Sequence, residues 1–311
     1  MTKTCLVQVD LDGLQIIAKD CSREDFSSRP DYVYESGLEN LLELFHRFQI
    51  KASLFVVGSD LENPAKLKLL RQAVRLGHEF GNHSHTHPRW FKRLSVPEKR
   101  REIEWCHKSV EDKLGASPLG FRAPGYSISS DTLPVLMELG YLYDSSVLPS
   151  AYDSIVSRLL YRGHGKDIGL IYESFSYEQL LRRNKPYRPS PDNIYRSGTM
   201  KIWELPVTCV PVLKFPFHAS YVLNSSFALF QLGALGLKFS SAPLNYLLHL
   251  KDTSLDLEAS DLARCVFNPI SARTLADRIR VMERIFDRLR LYDVCLAGDF
   301  VRRLNADGNG N

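Results

Sequence analysis

A chain of 311 residues, 44% hydrophobic and 24% charged, is long enough to bury a sizeable core and has a globular rather than a disordered or fibrous composition. Its net charge of +4 is modest, and the densest basic run, PEKRREIEWCHK, is mixed with acids, which argues against a nucleic-acid partner. Six cysteines (Cys5, Cys21, Cys106, Cys209, Cys265 and Cys295) form no CxxC pair, so neither a disulfide framework nor a zinc ribbon follows, and reduced thiols in a cytosolic protein are expected.

The elements alternate along the chain. TCLVQVDLD reads as a strand, and no positive–apolar–small leader precedes it, so a cytoplasmic location is expected. SGLENLLELFHRFQI has helical spacing, and KASLFVVGS is the next strand. NPAKLKLLRQAVRLG opens on a cap and a proline and closes on glycine, the marks of a complete helix. HEFGNHSH is strand-like, SVPEKRREIEWCHKSVEDKLG a capped helix, LGFRAPGYS a strand and turn. SSDTLPVLMELG then reads as a helix and YLYDSSV as a strand. TMKIWELPVT, LNYLLHL and YDVCLAG are later strands, with the helix SARTLADRIRVMERIFDRLR before the last.

This alternation predicts an α/β fold of parallel βα units, best met by a distorted (β/α) barrel of about seven strands, with a doubly wound open sheet as the alternative. The barrel is expected to occupy residues 1–304 as one domain, with 305–311 as a disordered tail. An irregular insertion, rich in Gly, Pro, Tyr and Arg, is expected around 149–199, and such segments are more often functional than idle. The apolar stretch Phe227–Leu237 is too short to span a bilayer; a buried helix is expected, with contact at a membrane surface as the other reading.

Polar residues gather at predicted strand ends. Asp10 and Asp12 close the first strand, two apart and so on one face. His83, His85 and His87 follow the third, Arg122 the fourth, and His249 ends a late apolar strand. In a βα barrel the C-terminal strand ends meet at one mouth, where active sites sit. Two imidazoles four residues apart plus one carboxylate make a common three-ligand set for a Zn²⁺-type ion, so His83, His87 and an aspartate are candidate ligands and His85 a bystander.

DLDG, HSHTH, FRAPGY and YLLHL together resemble the successive motifs of the polysaccharide deacetylases with the NodB homology domain (carbohydrate esterase family 4), closest to an intracellular branch whose first motif is Asp-x-Asp. The resemblance runs in order from Asp10 to about Val301. It implies a distorted barrel and metal-dependent hydrolysis of an N-acyl group on an amino sugar. It implies that Asp12, His83 and His87 bind the metal, that Asp10 is the general base, paired with and oriented by Arg122, and that His249 is the general acid. Pro124, Gly125 and Tyr126 are then expected to bind substrate. The family pattern has adjacent aspartates where Leu11 intervenes here, and Arg-x-Pro-Tyr where Gly125 precedes Tyr126, which leaves open the backbone N–H that completes the oxyanion hole.

The expected cofactor is a divalent metal ion, zinc first, with cobalt, nickel or iron as alternatives. The expected partner is an amino-sugar glycan or a lipid-linked or nucleotide-linked sugar, without nucleic acid and without a transmembrane segment, at the inner face of the membrane if the apolar stretch touches lipid. Arg182, Arg183, Arg188 and Arg196 in the insertion are candidates for holding a phosphate. Two other functions fit the same residues: an amidohydrolase acting on a linear or cyclic amide, and a catalytically weak barrel that binds glycans.

Overall fold

The computed structural model describes residues 2–21, 30–150, 184–211, 214–255 and 273–308. Among the described residues eight parallel strands form one sheet: β1 (Thr4–Asp10), β2 (Ser53–Val56), β3 (Glu79–Asn82), β4 (Gly120–Phe121), β5 (Tyr143–Asp144), β6 (Trp203–Glu204), β7 (Leu244–His249) and β8 (Asp293–Cys295). Their order is β6-β5-β4-β3-β2-β1-β7. One edge of β1 is shared: Gln8–Asp10 pair with β2, while Thr4–Leu6 pair with β8. Between β6 and β7 there is no ladder. The chain leaving β6 bridges them instead, as Thr208 N–H donates to the Asn245 carbonyl (3.1 Å) and Asn245 N–H to Thr208 Oγ1 (2.8 Å). The sheet therefore curls into the expected distorted barrel, and the doubly wound alternative falls away.

Strand alternation sorts the side chains into two layers. Cys5, Val7 and Val9 on β1 and Leu11 just after it, with Leu54 and Val56 on β2, face outward into the main core under the helices. Leu6, Phe55, Tyr143 and Leu205 fill the barrel itself. Two glycines make room for that filling: a Cβ on Gly81 would lie 2.5 Å from the Phe55 ring, and one on Gly120 2.0 Å from the Tyr143 ring.

The outer helices are α1 (Leu14–Cys21), α2 (Tyr32–Phe48), α3 (Pro64–Arg75), α4 (Val96–Leu114), α5 (Thr132–Glu138), α6 (Ala219–Asn224), α7 (Phe227–Lys238), α8 (Leu275–Leu289) and α9 (Ala297–Gly308). Local chemistry sets their ends. Asn63 caps α3 by accepting from Ala65 and Lys66 N–H, with Pro64 in the first turn. Ser95 and Glu98 form a capping box on α4, which Gly115 ends at φ +64°. Neither α1 nor α6 was expected from the sequence, since each is short and lacks a clear apolar period.

Two expectations change. The tail expected at 305–311 starts inside α9: residues 305–308 are helical, while 309–311 lie outside the described residues. Tertiary contact accounts for this, as Asn305 Oδ1 accepts from Trp203 Nε1 (2.8 Å) and an Arg188 guanidinium nitrogen (3.1 Å). The apolar helix α7 is buried on one side only: Phe227, Phe230, Gly233 and Leu237 are covered, while Leu232, Leu235 and the following Phe239 are 62%, 51% and 88% exposed. Of the expected insertion, 151–183 lie outside the described residues, including Arg182 and Arg183; 184–199 form an irregular segment with single bridges from Tyr187 to Glu204 and Pro189 to Ser197.

Candidate metal centre and catalytic mouth

The histidine turn is built around Asn82, the last residue of β3. Its buried amide donates to the Ile103 carbonyl (2.9 Å) and the Tyr141 hydroxyl (2.7 Å), and its Oδ1 accepts from Ser84 N–H (2.8 Å). That holds Ser84 in the left-handed region at φ +64°. Ser84 Oγ in turn accepts from His87 N–H (3.1 Å), and His87 sits at φ +52°. Of five non-glycine residues with positive φ among the described residues, Ser84, His87 and Tyr126 lie at this mouth. Such conformations cost about 1–3 kcal/mol each and persist where surrounding bonds over-determine them.

The result is convergence. Asp12 Oδ1 lies 3.5 Å from His83 Nε2 and 3.5 Å from His87 Nε2, and the His83 and His87 rings stand 4.9 Å apart. Ligand atoms in a tetrahedral shell with ~2.0–2.1 Å bonds are spaced about 3.3 Å apart, close to these separations. Asp12 Oδ1 and His87 Nε2 are buried and meet no hydrogen-bond partner, an arrangement that is unfavourable unless a cation lies between them. The His83 tautomer is set behind the site, where Nδ1 lies 2.7 Å from the Arg122 carbonyl and must donate to it, leaving the Nε2 lone pair toward Asp12. Burial, helped by His83 and opposed by Asp12, pushes the His87 pKa down to about 4, so the ring is neutral as a ligand must be. Burial alone would raise the Asp12 carboxyl, but His87 and His83 override it and hold it low. The trio fits a divalent ion.

Asp12 itself is aimed by the turn into α1. Leu11 continues the strand with an N–H bond to the Phe55 carbonyl (3.1 Å) and is fully buried outward, so Asp10 and Asp12 both face the mouth. Asp31 then pins the turn: its Oδ1 accepts from Leu14 N–H (2.8 Å) and Tyr34 N–H (3.0 Å), and its other oxygen pairs with buried Lys66 (2.7 Å), which also reaches Asp60 (2.6 Å). Gly13 is required there, since a Cβ would come within 2.1 Å of Asp31 Oδ2.

Beside the trio stands a fully buried Arg122. Its guanidinium donates to Asp10 Oδ1 (2.6 Å), the Ser145 carbonyl (2.8 Å), Ser145 Oγ (2.8 Å) and Gln8 Oε1, and it stacks 4.3 Å over the Phe55 ring. Asp10 is thereby fixed from below. On the adjacent strand His249 is its register partner, with Nε2 3.8 Å from Asp10 Oδ2. Burial and Lys251 lower the His249 pKa against the pull of Asp10 and Asp252.

Pro124, Gly125 and Tyr126 form a tight turn over the same mouth. Gly125 is left-handed at φ +56°, and Tyr126 OH lies 3.5 Å from Asp10 Oδ2. Tyr126 N–H is already given to the Ala123 carbonyl (3.0 Å). His85 points away from the trio, edge-on to Trp105 at 5.4 Å, with its N–H on Glu102. Arg188 is drawn to Trp203 and Asn305, so it does not join the mouth. Sequence reasoning missed Gln8, Asn82, Ser145 and Ser220. Gln8 alone carried a signal, two residues before Asp10 on the inward face.

Residues 29–143 match the polysaccharide deacetylase family model, so that stretch of the chain, from just before α2 to the start of β5, is similar to polysaccharide deacetylases. Among similar curated proteins, a peptidoglycan deacetylase of Helicobacter pylori is 31% identical over 156 residues, covering 48% of this chain and 51% of that one. A peptidoglycan-N-acetylglucosamine deacetylase of Bacillus cereus is 30% identical over 117 residues, covering 37% and 51%. The chain thus spans about half the length of these relatives. In fold it is similar to a putative polysaccharide deacetylase of Mycobacterium smegmatis (TM-score 0.62, 16% identity, 99% of this chain and 92% of that one). It is also similar to PuuE allantoinase (TM-score 0.57, 16% identity, 97% and 90%).

Proposed function

We propose that this protein is a metal-dependent hydrolase that removes an N-acyl group, N-acetyl foremost, from an amino-sugar unit of a glycan or glycan precursor. One observation carries the reading: the ligand trio Asp12, His83 and His87 shares a mouth with a carboxylate gripped by Arg122 and with the imidazole of His249. The deacetylase names of the sequence relatives support a sugar amide as the bond attacked. The allantoinase likeness is one of fold and lends nothing to the amidohydrolase alternative.

A divalent ion held by the trio, with zinc the best match to two imidazoles and one carboxylate, supplies Lewis acidity toward a water and the acyl carbonyl. Asp10 takes the proton of the attacking water; Arg122 keeps its carboxylate pointed at that water and away from solvent. His249 carries a proton on Nε2 to the departing nitrogen, because an amide anion is too poor a leaving group to depart unprotonated. Pro124, Gly125 and Tyr126 line the mouth where the sugar rests, with the Tyr126 hydroxyl above Asp10.

The test is acetate release from N-acetylglucosamine oligomers, run beside a panel of linear and cyclic amides, with chelator and metal add-back. Acetate and free amine in equal amounts, lost with chelator and restored by metal, are expected. One equivalent of bound metal with no acyl release from any N-acyl sugar would reject the reading; turnover of a non-sugar amide alone would select the alternative.

A second reading, that the sugar is carried on a lipid at the inner membrane face, is favoured by α7. Its exposed Leu232 and Leu235 continue to Phe239 on one side. From residue 205 to 251 the only charged side chains are Lys214, Lys238 and Lys251, which suits an anionic bilayer. No helix of the described residues is long and apolar enough to cross a membrane.

A further inference from the structure

His249 is held from behind by a residue that no motif marks. Its Nδ1 lies 3.2 Å from Ser220 Oγ, and that hydroxyl lies 2.6 Å from Asp252 Oδ1. A serine has one hydroxyl hydrogen, and a carboxylate offers only lone pairs. Two bare oxygens at this separation would repel, so the hydrogen lies between Ser220 and Asp252. The serine oxygen then turns a lone pair to Nδ1, which must carry the hydrogen of that contact. Asp252 also meets His249 across a capping box, in which its second oxygen accepts the His249 N–H (2.8 Å). The neighbouring His218 ring stands 6.0 Å away and caps α6, with its own Nδ1 accepting from Tyr221 N–H (3.4 Å).

The geometry points to Ser220 as a positioning residue: it relays Asp252 to His249, keeping hydrogen on Nδ1 so that the proton given to the leaving amine travels on Nε2. This rests on the acid role proposed above for His249. In the transfer the Nε2–H bond breaks as an N–H bond forms on the departing nitrogen. The C–N pair goes to that nitrogen, and His249 is left neutral with Nδ1–H intact. Such a role is consistent with the burial of Ser220, 8% exposed, and with its place in the first turn of α6.

Two variants of the full chain, Ser220→Ala and Ser220→Thr, test this on two substrates. One is an N-acetylglucosamine tetramer, whose amine must be protonated to leave. The other is p-nitrophenyl acetate, whose phenolate leaves without a proton. Ser220→Ala is expected to lower kcat on the amide by about 10-fold or more at unchanged KM and metal content, to alter the ester rate less than about twofold, and to be rescued by Ser220→Thr. Long-range ¹H–¹⁵N spectra of the histidines should show His249 as the Nδ1–H form in the parent and a mixture in Ser220→Ala. Equal losses on both substrates, no loss on the amide, or an unchanged tautomer would overturn the inference. If the parent releases no acetate from any sugar, the proposed function fails, while the tautomer comparison still decides the role of Ser220.

Discussion

At the residue scale, the three crowded histidines are not equivalent, and hydrogen bonds make them so. His83 and His87 aim Nε2 at Asp12, whereas His85 is turned onto Trp105. Changing His83 to Ala should therefore weaken metal binding by more than the ~10–100-fold typical of losing an outer-shell partner. His85→Ala should leave it within about threefold. Visible absorption of the Co²⁺-loaded protein reads both; equal losses would remove the assignment. The Asp-x-Asp spacing has a physical account at this scale too. Because Leu11 extends the strand and buries outward, the period of two puts Asp10 beside Arg122 and Asp12 beside the imidazoles, so the proposed base and the proposed ligand are two different carboxylates.

At the element scale, strands end at the mouth and begin at a floor that does a different job. Glu79 at the start of β3 accepts from Ser53, from Tyr143 (both 2.8 Å) and from Gly298 N–H (2.9 Å) at the N-terminus of α9. Just before it His78 Nδ1 accepts from Ala52 N–H (3.1 Å), and its ring packs 5.3 Å from Phe45. Burial and Lys51 push the His78 pKa down to about 4, from an unfolded value near 6.5. Between those values the unfolded chain binds the extra proton, so stability falls as pH drops from about 6.5 to 4, by at most about 3 kcal/mol from this group. In His78→Asn the pH dependence of Tm over that window should be visibly flatter. A slope identical to that of the parent would show that His78 does not titrate between the two states. Activity at neutral pH should change little, since this end of the barrel is remote from the mouth.

At the scale of the molecule, one face departs from ordinary surface chemistry. A helix that exposes Leu232, Leu235 and Phe239, inside a stretch whose charges are all lysines, is expected to bind vesicles rich in phosphatidylglycerol and to ignore neutral ones. Replacing all three with Ser should lower co-sedimentation at least about tenfold while acetate release from a soluble sugar persists. Equal binding to neutral and anionic vesicles, or none to either, would reject the lipid-linked reading.

Much of this was legible in the sequence because it rests on short-range periodicity. Alternation along TCLVQVDLD places Asp10 and Asp12 on one face whatever the strand pairs with. The crowding in HSHTH, the glycine and proline beside it, and the order of strands and helices likewise pointed to a barrel with polar residues at its mouth. What the sequence could not carry are relations between distant segments. Arg122 meets Asp10 and Gln8 across more than a hundred residues. Ser220 faces His249 from a six-residue helix with no periodic signal, and Asn305 turns an expected tail into helix by reaching Trp203. The half-burial of α7 was hidden as well, since an apolar run reads the same whether one side or all sides are covered. By itself the sequence determined which residue types lie on the inner face of each strand, because side-chain alternation is local. Only the tertiary structure decided which of them touch, and hence which proton each nitrogen carries, because that depends on barrel closure bringing far segments within hydrogen-bond distance.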